Sequence, residues 1–166
     1  MFKEISIYDV KENIVDLLNK QWGLVTAGNE GAYNTMTVSW GALGELWGRE
    51  MVTVYIRPQR YTNRFVDGSD YFTLSFYPAE YKKALAFCGS RSGRDFDKAK
   101  ETGLTPVFDE SVPYFDEAKL VIVCRKVAKG KFEPGQFIDE SINGEYPSDD
   151  FHFIYYGEIV KVLIKE

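Results

Sequence analysis

Short segments of alternating or continuous hydrophobic residues recur along the chain, and they predict a body built mainly of β-strands. Residues 71–76 alternate cleanly between apolar and polar side chains, whereas residues 51–56 are rich in β-branched side chains. Glycine and asparagine at 28–31 predict a turn between two strands. The predicted strands cover residues 24–27, 36–40, 51–56, 71–76, 120–124 and 151–164. The last is expected to bend at Gly157, because a glycine inside a strand often marks a bulge.

Helical spacing of apolar residues is confined to a few short segments. The predicted helices cover residues 9–20, 62–67, 80–87 and 93–102. Pro106 and Pro113 mark a loop after the last of them. Many strands with few helices favour a closed or nearly closed barrel with peripheral helices over a parallel sheet wrapped by helices. No internal repeat, low-complexity tract or linker interrupts the pattern, so residues 1–166 are predicted to form one domain.

Composition narrows the classes of ligand that the chain is expected to bind. With 11 Tyr and 12 Phe, aromatic residues make up 16% of the chain, which suits a strand-rich body offering flat surfaces to a planar ligand. The formal net charge of -5 argues against general nucleic-acid binding, which needs a basic face. An anionic ligand must therefore be held by a local cluster of cations.

Several other classes of site are also disfavoured by the sequence. The longest apolar run is far shorter than the roughly 20 residues of a membrane helix, and no secretory signal is recognisable, so we expect a cytoplasmic protein that binds no membrane. Two cysteines without Cys-x-x-Cys spacing and one histidine predict neither a metal site nor a disulfide. No acid–base or nucleophilic grouping stands out, so no catalytic side chain is predicted. Whether His152 packs in the core or contacts a ligand stays open.

The segment Cys88–Lys98 (CGSRSGRDFDK) combines hydroxyls, glycines and cations around a predicted helix start. Ser92 is the expected N-cap, with Asp95 in the capping-box position and Gly103 as the stop. Backbone N–H groups at such a helix start, together with Arg91, Arg94 and Lys98, would form a seat for a phosphate. An ordinary capped surface helix with solvated charges is the alternative, and these residues alone leave both interpretations open.

Two upstream segments also place ligand-binding groups at a predicted strand: one carries hydroxyls within a strand, and the other carries cations at a strand end. They are residues 34–40 (NTMTVSW) and residues 57–64 (RPQRYTNR). In this order, the three segments resemble the flavin reductase-like FMN-binding split barrel family, which includes the flavoredoxins. The resemblance runs from about Trp22 to Gly157. It implies a split β-barrel of Greek-key type that binds FMN.

The resemblance also implies which residues surround the cofactor. Residues 34–40 would run alongside the flavin ring, with an apolar face and a hydroxylated face created by strand alternation. The apolar face would hold Met36, Val38 and Trp40, and the hydroxylated face Thr35, Thr37 and Ser39. Arginine and lysine would bind the phosphate through charge-assisted hydrogen bonds. The predicted cofactor-binding residues are Asn34, Thr35, Met36, Thr37, Val38, Ser39, Trp40, Arg57, Arg60, Tyr61, Thr62, Asn63, Ser90, Arg91, Ser92, Gly93 and Lys98.

Three functions remain open on the sequence. In a flavoprotein the cofactor carries out the redox step, so binding groups without a catalytic constellation are sufficient. The leading hypothesis is an oxidoreductase similar to the NAD(P)H-dependent flavin reductases; the second is a flavoredoxin-like electron carrier reduced by a protein partner. The third is a non-enzymatic barrel that binds another phosphorylated planar ligand. The resemblance further implies a homodimer, to which the strand with Tyr155 and Tyr156 is expected to contribute.

Overall fold

The computed structural model describes residues 1–110 and 112–166, and within them the chain is mainly β. The strands are β1 (Phe2–Ile5), β2 (Gly23–Asn29), β3 (Ala32–Val38), β4 (Gly41–Leu46), β5 (Arg49–Ile56), β6 (Tyr71–Phe76), β7 (Pro106–Val107), β8 (Tyr114–Phe115), β9 (Leu120–Lys131) and β10 (Phe153–Lys165). The helices are α1 (Ile14–Asp16), which continues as a π-helical turn (Leu17–Gln21), α2 (Tyr61–Gly68), α3 (Lys82–Ser90) and α4 (Lys98–Thr102). Short 3-10 turns cover Ile7–Asp9, Ala79–Tyr81 and Glu140–Glu145.

Eight strands form one antiparallel sheet in the order β3-β2-β6-β9-β10-β5-β4, with β1 also paired to β10. β7 and β8 pair separately. The long strand β10 pairs with β5 over Phe153–Glu158 and with β1 beyond Lys161, so it turns from one neighbour to another along its length. Because β3 and β4 each have one partner in the described residues, the sheet ends at these two strands. Only Ser39 and Trp40 separate these two edge strands along the chain.

The bend predicted at Gly157 is present in β10. The pairing of β10 with β9 shifts register between Tyr156 and Gly157, as at a β-bulge. A Cβ atom on Gly157 would lie 2.6 Å from Cζ of Phe72 and 2.7 Å from Cβ of Cys124. Glycine is therefore required because the core approaches the backbone too closely for any side chain.

Both faces of the central strands are buried. On β9, Ile122 and Cys124 belong to one apolar cluster, while Val121 and Val123 belong to a second cluster on the opposite face. α3 covers the second cluster through Leu85 and Cys88. Burial on both sides explains why the residues of β9 read as a continuous apolar run rather than an alternating one.

Helix starts are where the sequence prediction fails most clearly. The first helix was expected over residues 9–20, but α1 begins at Ile14, with Asn13 as its N-cap. The helix expected from Gly93 with Ser92 as cap is also wrong: α4 begins at Lys98, and Asp97 caps it by accepting from the N–H of Lys100 at 3.2 Å.

The physical reason for the late start of α4 lies in the competing cap. Asp97 is as good a cap as Ser92, and it is followed by lysines, alanine and glutamate, which favour helix more than the preceding glycine and aspartates do. The carbonyl of Ser92 instead accepts from the N–H groups of Asp95 and Phe96 at 3.1 Å, which closes a turn. Gly103 ends α4 as predicted, with φ of 73°.

Three remaining findings concern the classes of site considered from composition. In the described part of the chain, no helix combines the length and apolar character that crossing a membrane requires. Cys88 and Cys124 are both buried and unpaired with each other. No group of three or more His, Cys, Asp or Glu side chains suited to a metal ion occurs among residues 1–110 and 112–166.

Candidate functional site

Three neighbouring cavities form a groove that follows β3 and the residues just after it. We name them the cation cavity (about 290 Å³), the strand cavity (about 170 Å³) and the aromatic cavity (about 530 Å³). The cation and strand cavities share Met36, Arg57 and Arg60. The strand and aromatic cavities share Ser39, Trp40 and Tyr55. The groove therefore runs continuously from a charged end to an aromatic end.

The cation cavity concentrates positive charge in an otherwise acidic protein. Its lining comprises Met36, Arg57, Gln59, Arg60, Tyr61, Thr62, Ser90, Arg91, Ser92, Gly93, Arg94 and Lys98. Five of these side chains are cations, and no carboxylate belongs to this lining in the part of the chain that the structure describes. Against the net charge of -5, this cluster creates a local positive potential suited to an anion.

Lys98 is buried at the base of the cation cavity, where the protein already holds its ammonium group. Nζ of Lys98 donates to the carbonyl oxygens of Thr35 and Cys88, each at 2.7 Å. An ammonium has three protons, so one remains for a ligand. Burial lowers the pKa of Lys98 to about 8; the Cys88 thiol opposes this shift and the charge of Arg60 adds to it. Lys98 is thus a cation near neutral pH that loses charge in mildly alkaline solution.

Arg60 is a second fixed cation, whereas Arg57 is neutralised. Nη1 of Arg60 donates to the carbonyl of Gly89 at 2.6 Å. Its other guanidinium N–H groups have no hydrogen-bond partner among the described residues and can donate to a ligand. Burial, with a further effect of Arg57, lowers the pKa of Arg60 without removing its charge at neutral pH. Arg57 forms an ion pair with Asp150 at 2.7 Å. Within the described residues, Arg57 is the only cation of this lining that forms an ion pair. Arg60 and Lys98 differ from the other unpaired cations, the exposed Arg91 and Arg94, in being at least partly buried where backbone carbonyls hold them.

The three segments singled out in the sequence meet at this end of β3. Nδ2 of Asn34 on β3 donates to Oγ1 of Thr62 in α2 at 2.8 Å. A Cβ atom on Gly93 would lie 2.0 Å from Oδ1 of Asn34, so the turn after α3 lies directly against the same side chain. Asn34 thereby fixes both other segments, although it does not itself line the groove.

Of the predicted hydroxylated face, Thr35 and Thr37 are occupied by contacts within the protein, whereas Ser39 follows the end of β3 and lines the strand and aromatic cavities. Oγ1 of Thr35 lies 2.9 Å from Oγ1 of Thr26, and the Thr37 hydroxyl donates to the carbonyl of Leu85. Thr35 is fully buried and lines none of the three cavities. Since β3 is an edge strand, backbone groups on its unpaired side are available to a ligand in place of the threonine hydroxyls, except the Thr35 carbonyl, which Lys98 already occupies.

His152, whose role the sequence left open, is buried and lines the strand cavity. The cavity lining is Met36, Thr37, Val38, Ser39, Trp40, Tyr55, Arg57, Arg60 and His152. Nδ1 of His152 lies 2.8 Å from the Tyr146 hydroxyl, and its ring centre is 5.1 Å from that of Trp40. Burial, reinforced by the charge of Arg57, lowers the pKa of His152 to about 4. The imidazole is therefore neutral at physiological pH.

The aromatic cavity was not predicted from the sequence. It is lined by Val15, Leu18, Asn19, Ser39, Trp40, Gly41, Tyr55, Phe132, Phe137, Ile142, Glu145 and Tyr146. Half of its unforeseen wall comes from residues 132–146, between β9 and β10. The only sequence signal there is a set of aromatic residues in a segment without strand or helix periodicity.

A few predicted site residues have other contacts. Asn63 does not line the groove, because its Oδ1 accepts from the Tyr155 hydroxyl and its Nδ2 lies 3.5 Å from the carbonyl of Pro58. The Ser90 hydroxyl donates to the carbonyl of Ala86 at 2.9 Å while the residue lines the cation cavity. In the cation and strand cavities, the lining residues that the sequence did not suggest are Gln59 and Tyr55. Arg94, suggested only as part of the phosphate seat, also lines the cation cavity.

Comparison with known proteins identifies the family of the chain. Residues 16–166 match the family model described as a flavin reductase like domain. No curated protein sequence matches the chain.

Solved structures from several organisms are similar in fold. An FMN-binding domain of a flavin reductases-like enzyme from Shewanella baltica superposes with a TM-score of 0.70 at 17% identity, covering 99% of this chain and 77% of that chain. A flavoredoxin from Methanosarcina acetivorans gives 0.71 at 22% identity, with 99% and 76% covered. A flavoredoxin of Desulfovibrio vulgaris gives 0.67 at 22% identity, with 87% and 69% covered. These similarities confirm the predicted split-barrel fold.

Proposed function

The chain belongs to the flavin reductase-like domain family, and from that premise we propose that it is an FMN-dependent oxidoreductase whose groove holds the cofactor. The observation that carries the proposal is the cation cavity, which opens into the strand and aromatic cavities. The charged end followed by the strand cavity, which Trp40 and Tyr55 bound on its far side, matches the order of phosphate, ribityl chain and flat ring in FMN and leaves the aromatic cavity beside the ring. Proteins described as FMN-binding are among those of similar fold.

The donors at the charged end fit a phosphate monoester. Arg60 and Lys98 are held in place by backbone carbonyls, so little side-chain entropy remains to be lost when they bind an anion. Charge-assisted hydrogen bonds from two such cations are stronger than neutral ones. The hydroxyl of Thr62, fixed by Asn34, is close enough to the same cavity to add a neutral bond.

The strand cavity fits a flat ring with polar edges. When bound, FMN supplies the hydride and electron chemistry, and the protein supplies position and electrostatics. The unpaired backbone edge of β3 offers hydrogen-bonding groups, while Trp40 and Tyr55 offer apolar surface. His152, kept neutral by burial, offers a hydrogen-bonding nitrogen without adding charge.

FMN binding should weaken in alkaline solution because of Lys98. Its pKa of about 8 means that the ammonium loses its proton as pH rises through that value, while the phosphate stays dianionic. A bound dianion favours the charged amine and so raises the pKa of Lys98. We expect the dissociation constant for FMN to rise roughly tenfold between about pH 7 and about pH 9.5, measured by flavin fluorescence quenching.

Two controls assign that pH dependence to Lys98. The variant Lys98→Met should bind FMN weakly at every pH, with a flat profile over the same range. Riboflavin, which lacks the phosphate, should show no such dependence with the original protein. A flat profile for FMN itself would contradict a role for Lys98 beside the phosphate.

Gly93 should tolerate no side chain, because the turn after α3 packs against Asn34. A methyl group there would displace the Asn34 side chain, which in turn orients Thr62. We expect Gly93→Ala to weaken FMN binding about tenfold, which corresponds to loss of one well-placed hydrogen bond. Gly68→Ala, where a Cβ atom meets nothing within 4 Å, is the matched control and should leave affinity unchanged. Equal FMN affinity in both variants would show that Gly93 does not shape the binding site.

The electron donor distinguishes the two redox hypotheses. In the leading form of the proposal, NADH or NADPH delivers hydride to the bound flavin, as the family resemblance implies. In the alternative form, a reduced protein partner delivers electrons, as for a flavoredoxin-like carrier. Similar folds in flavin reductases and flavoredoxins support both forms equally.

An anaerobic titration of the FMN-loaded protein tests these forms. Bleaching of the flavin absorbance by NADH or NADPH supports the reductase form. Bleaching by dithionite and by a reduced iron–sulfur protein, but by neither nicotinamide, supports the carrier form. A colourless protein that retains no added FMN would exclude both the reductase form and the carrier form.

We further propose a cytoplasmic homodimer, but with a different contribution from the C-terminal strand than the sequence suggested. Tyr155 is fully buried and its hydroxyl contacts Asn63 and Asp67, so it cannot contact a second subunit. Tyr156 lies near the exposed Trp47, with ring centres 6.0 Å apart, and this pair is a better candidate for the interface. Sedimentation of the original protein and of Trp47→Ala measures the oligomeric state.

A further inference from the structure

The aromatic cavity has walls suited to a second flat molecule. The rings of Phe137 and Tyr146 are nearly parallel, at an interplanar angle of 4°, and those of Tyr55 and Phe132 at 17°. Val15 supplies aliphatic surface to the same cavity. Stacked aromatic walls favour planar ligands, because ring faces gain most from parallel, offset contact. At about 530 Å³ the cavity has the size of a site for one small ligand.

Its charge is opposite to that of the cation cavity. No basic side chain lines it among the described residues, and Glu145 is the charged residue that does. The nearby Arg57 is occupied by Asp150 and by the carbonyl of Glu145, at 2.9 Å. A ligand carrying phosphates would place negative charge beside a carboxylate with no cation to compensate it. The cavity therefore favours an uncharged ligand.

The aromatic cavity also adjoins the proposed flavin position. It shares Ser39, Trp40 and Tyr55 with the strand cavity, so a molecule in one cavity would lie next to a molecule in the other. Ser39 and Asn19 are polar members of the wall and offer hydrogen bonds to a carbonyl oxygen. A redox partner of the flavin placed there would be flat, uncharged and carbonyl-bearing.

We propose that the aromatic cavity binds an uncharged, planar aromatic carbonyl compound of the quinone class as the electron acceptor. This inference rests on the proposed function. The quinone would take up two electrons and two protons to become a hydroquinone; bound FMN in its reduced state would supply both electrons, and the protons would come from that flavin and from solvent. The residues between β9 and β10, Phe137 above all, then determine the acceptor specificity.

Binding of 2-methyl-1,4-naphthoquinone to the FMN-loaded protein, followed by calorimetry, tests this proposal. Phe137→Ala should weaken binding about tenfold, because an aromatic wall is removed. Ile138→Ala changes the neighbouring residue, which is fully exposed and lines no part of the cavity, and should leave binding unchanged. FMN content, read from visible absorbance, should be equal in all three proteins.

A charged analogue tests the role of Glu145. The original protein should bind 1,4-naphthoquinone-2-sulfonate about tenfold more weakly than the neutral quinone, and Glu145→Lys should close that gap. Equal affinity for both compounds in the original protein would overturn the proposal. So would loss of quinone binding when FMN is added to cofactor-free protein, since the flavin itself would then fill the cavity.

Two further outcomes distinguish this inference from a subunit interface and from the proposed flavin function. If Phe137→Ala dissociates a dimer in sedimentation, the cavity is an interface between subunits and the proposal fails. If no FMN binds but the neutral quinone still binds in a Phe137-dependent manner, the cavity assignment stands and the proposed flavin function fails.

Discussion

Arg60→Ala is expected to weaken FMN binding by about 10- to 100-fold, the range for losing a hydrogen bond to a charged group. Arg60 lines both the cation and strand cavities, and the carbonyl of Gly89 holds its guanidinium in place. Arg57 cannot substitute for it, because Asp150 already neutralises that side chain. Equilibrium titration of cofactor-free protein with FMN measures the effect.

Arg64→Ala is the matched control for this experiment. Arg64 is exposed on the same helix, α2, and lines none of the three cavities, so its removal changes net charge equally without touching the groove. Its FMN affinity should stay within about twofold of the original, as expected for a screened surface charge. If FMN binding is weakened equally in the two variants, the contribution of Arg60 is a general electrostatic effect and not a specific contact in the cation cavity.

Gly157→Ala is expected to lower the free energy of unfolding by about 2–3 kcal/mol, at the upper end of the usual cost of overpacking a core. The added methyl group would overlap Phe72 and Cys124, both fully buried on neighbouring strands. The long strand β10 would have to shift at its bulge, which carries the pairing with β5 and β9. Urea unfolding of cofactor-free protein gives the difference.

Gly44→Ala provides the comparison within a strand. Gly44 lies on the edge strand β4, and a Cβ atom there meets nothing within 4 Å. Its replacement should be neutral or slightly stabilising, since alanine loses less backbone entropy on folding than glycine. Similar destabilisation of both variants would show that the effect comes from strand glycines in general.

Strand positions could be predicted because the burial of one or both faces of a strand determines which of its residues are apolar. β6 alternates and β9 is continuously apolar, and both patterns follow from which faces are covered. The edge strand β4 was missed, since it is largely exposed and contains two glycines, so no hydrophobic period marks it. Its existence depends on pairing with β5, a long-range contact that local sequence does not encode.

The position of the phosphate seat was anticipated better than its geometry. The turn at Ser92 and Gly93 reaches the site, but the helix starts at Lys98 after the Asp97 cap, because two good caps compete and better helix formers follow the second. Burial of Lys98 could not be foreseen, since it depends on carbonyls from β3 and α3 converging on one ammonium. Local sequence shows charges but not which of them are already paired, as Arg57 illustrates.

The aromatic end of the groove lay beyond what sequence patterns can reveal. Phe137 and Tyr146 stack only because the connection from β9 to β10 folds back over Trp40 and Tyr55. Such a segment has no period, so its side chains give no indication of their common wall. His152 was visible as the sole histidine, but its neutral state follows from burial and the nearby Arg57.

The central claim is that one groove holds FMN with its phosphate in the cation cavity. Comparing the dissociation constants of FMN and riboflavin for the same cofactor-free protein tests it most directly, because the two ligands share the ring and differ by the phosphate. The account predicts that FMN binds at least about 100-fold more tightly, as expected for two charge-assisted contacts. Equal affinities would contradict it.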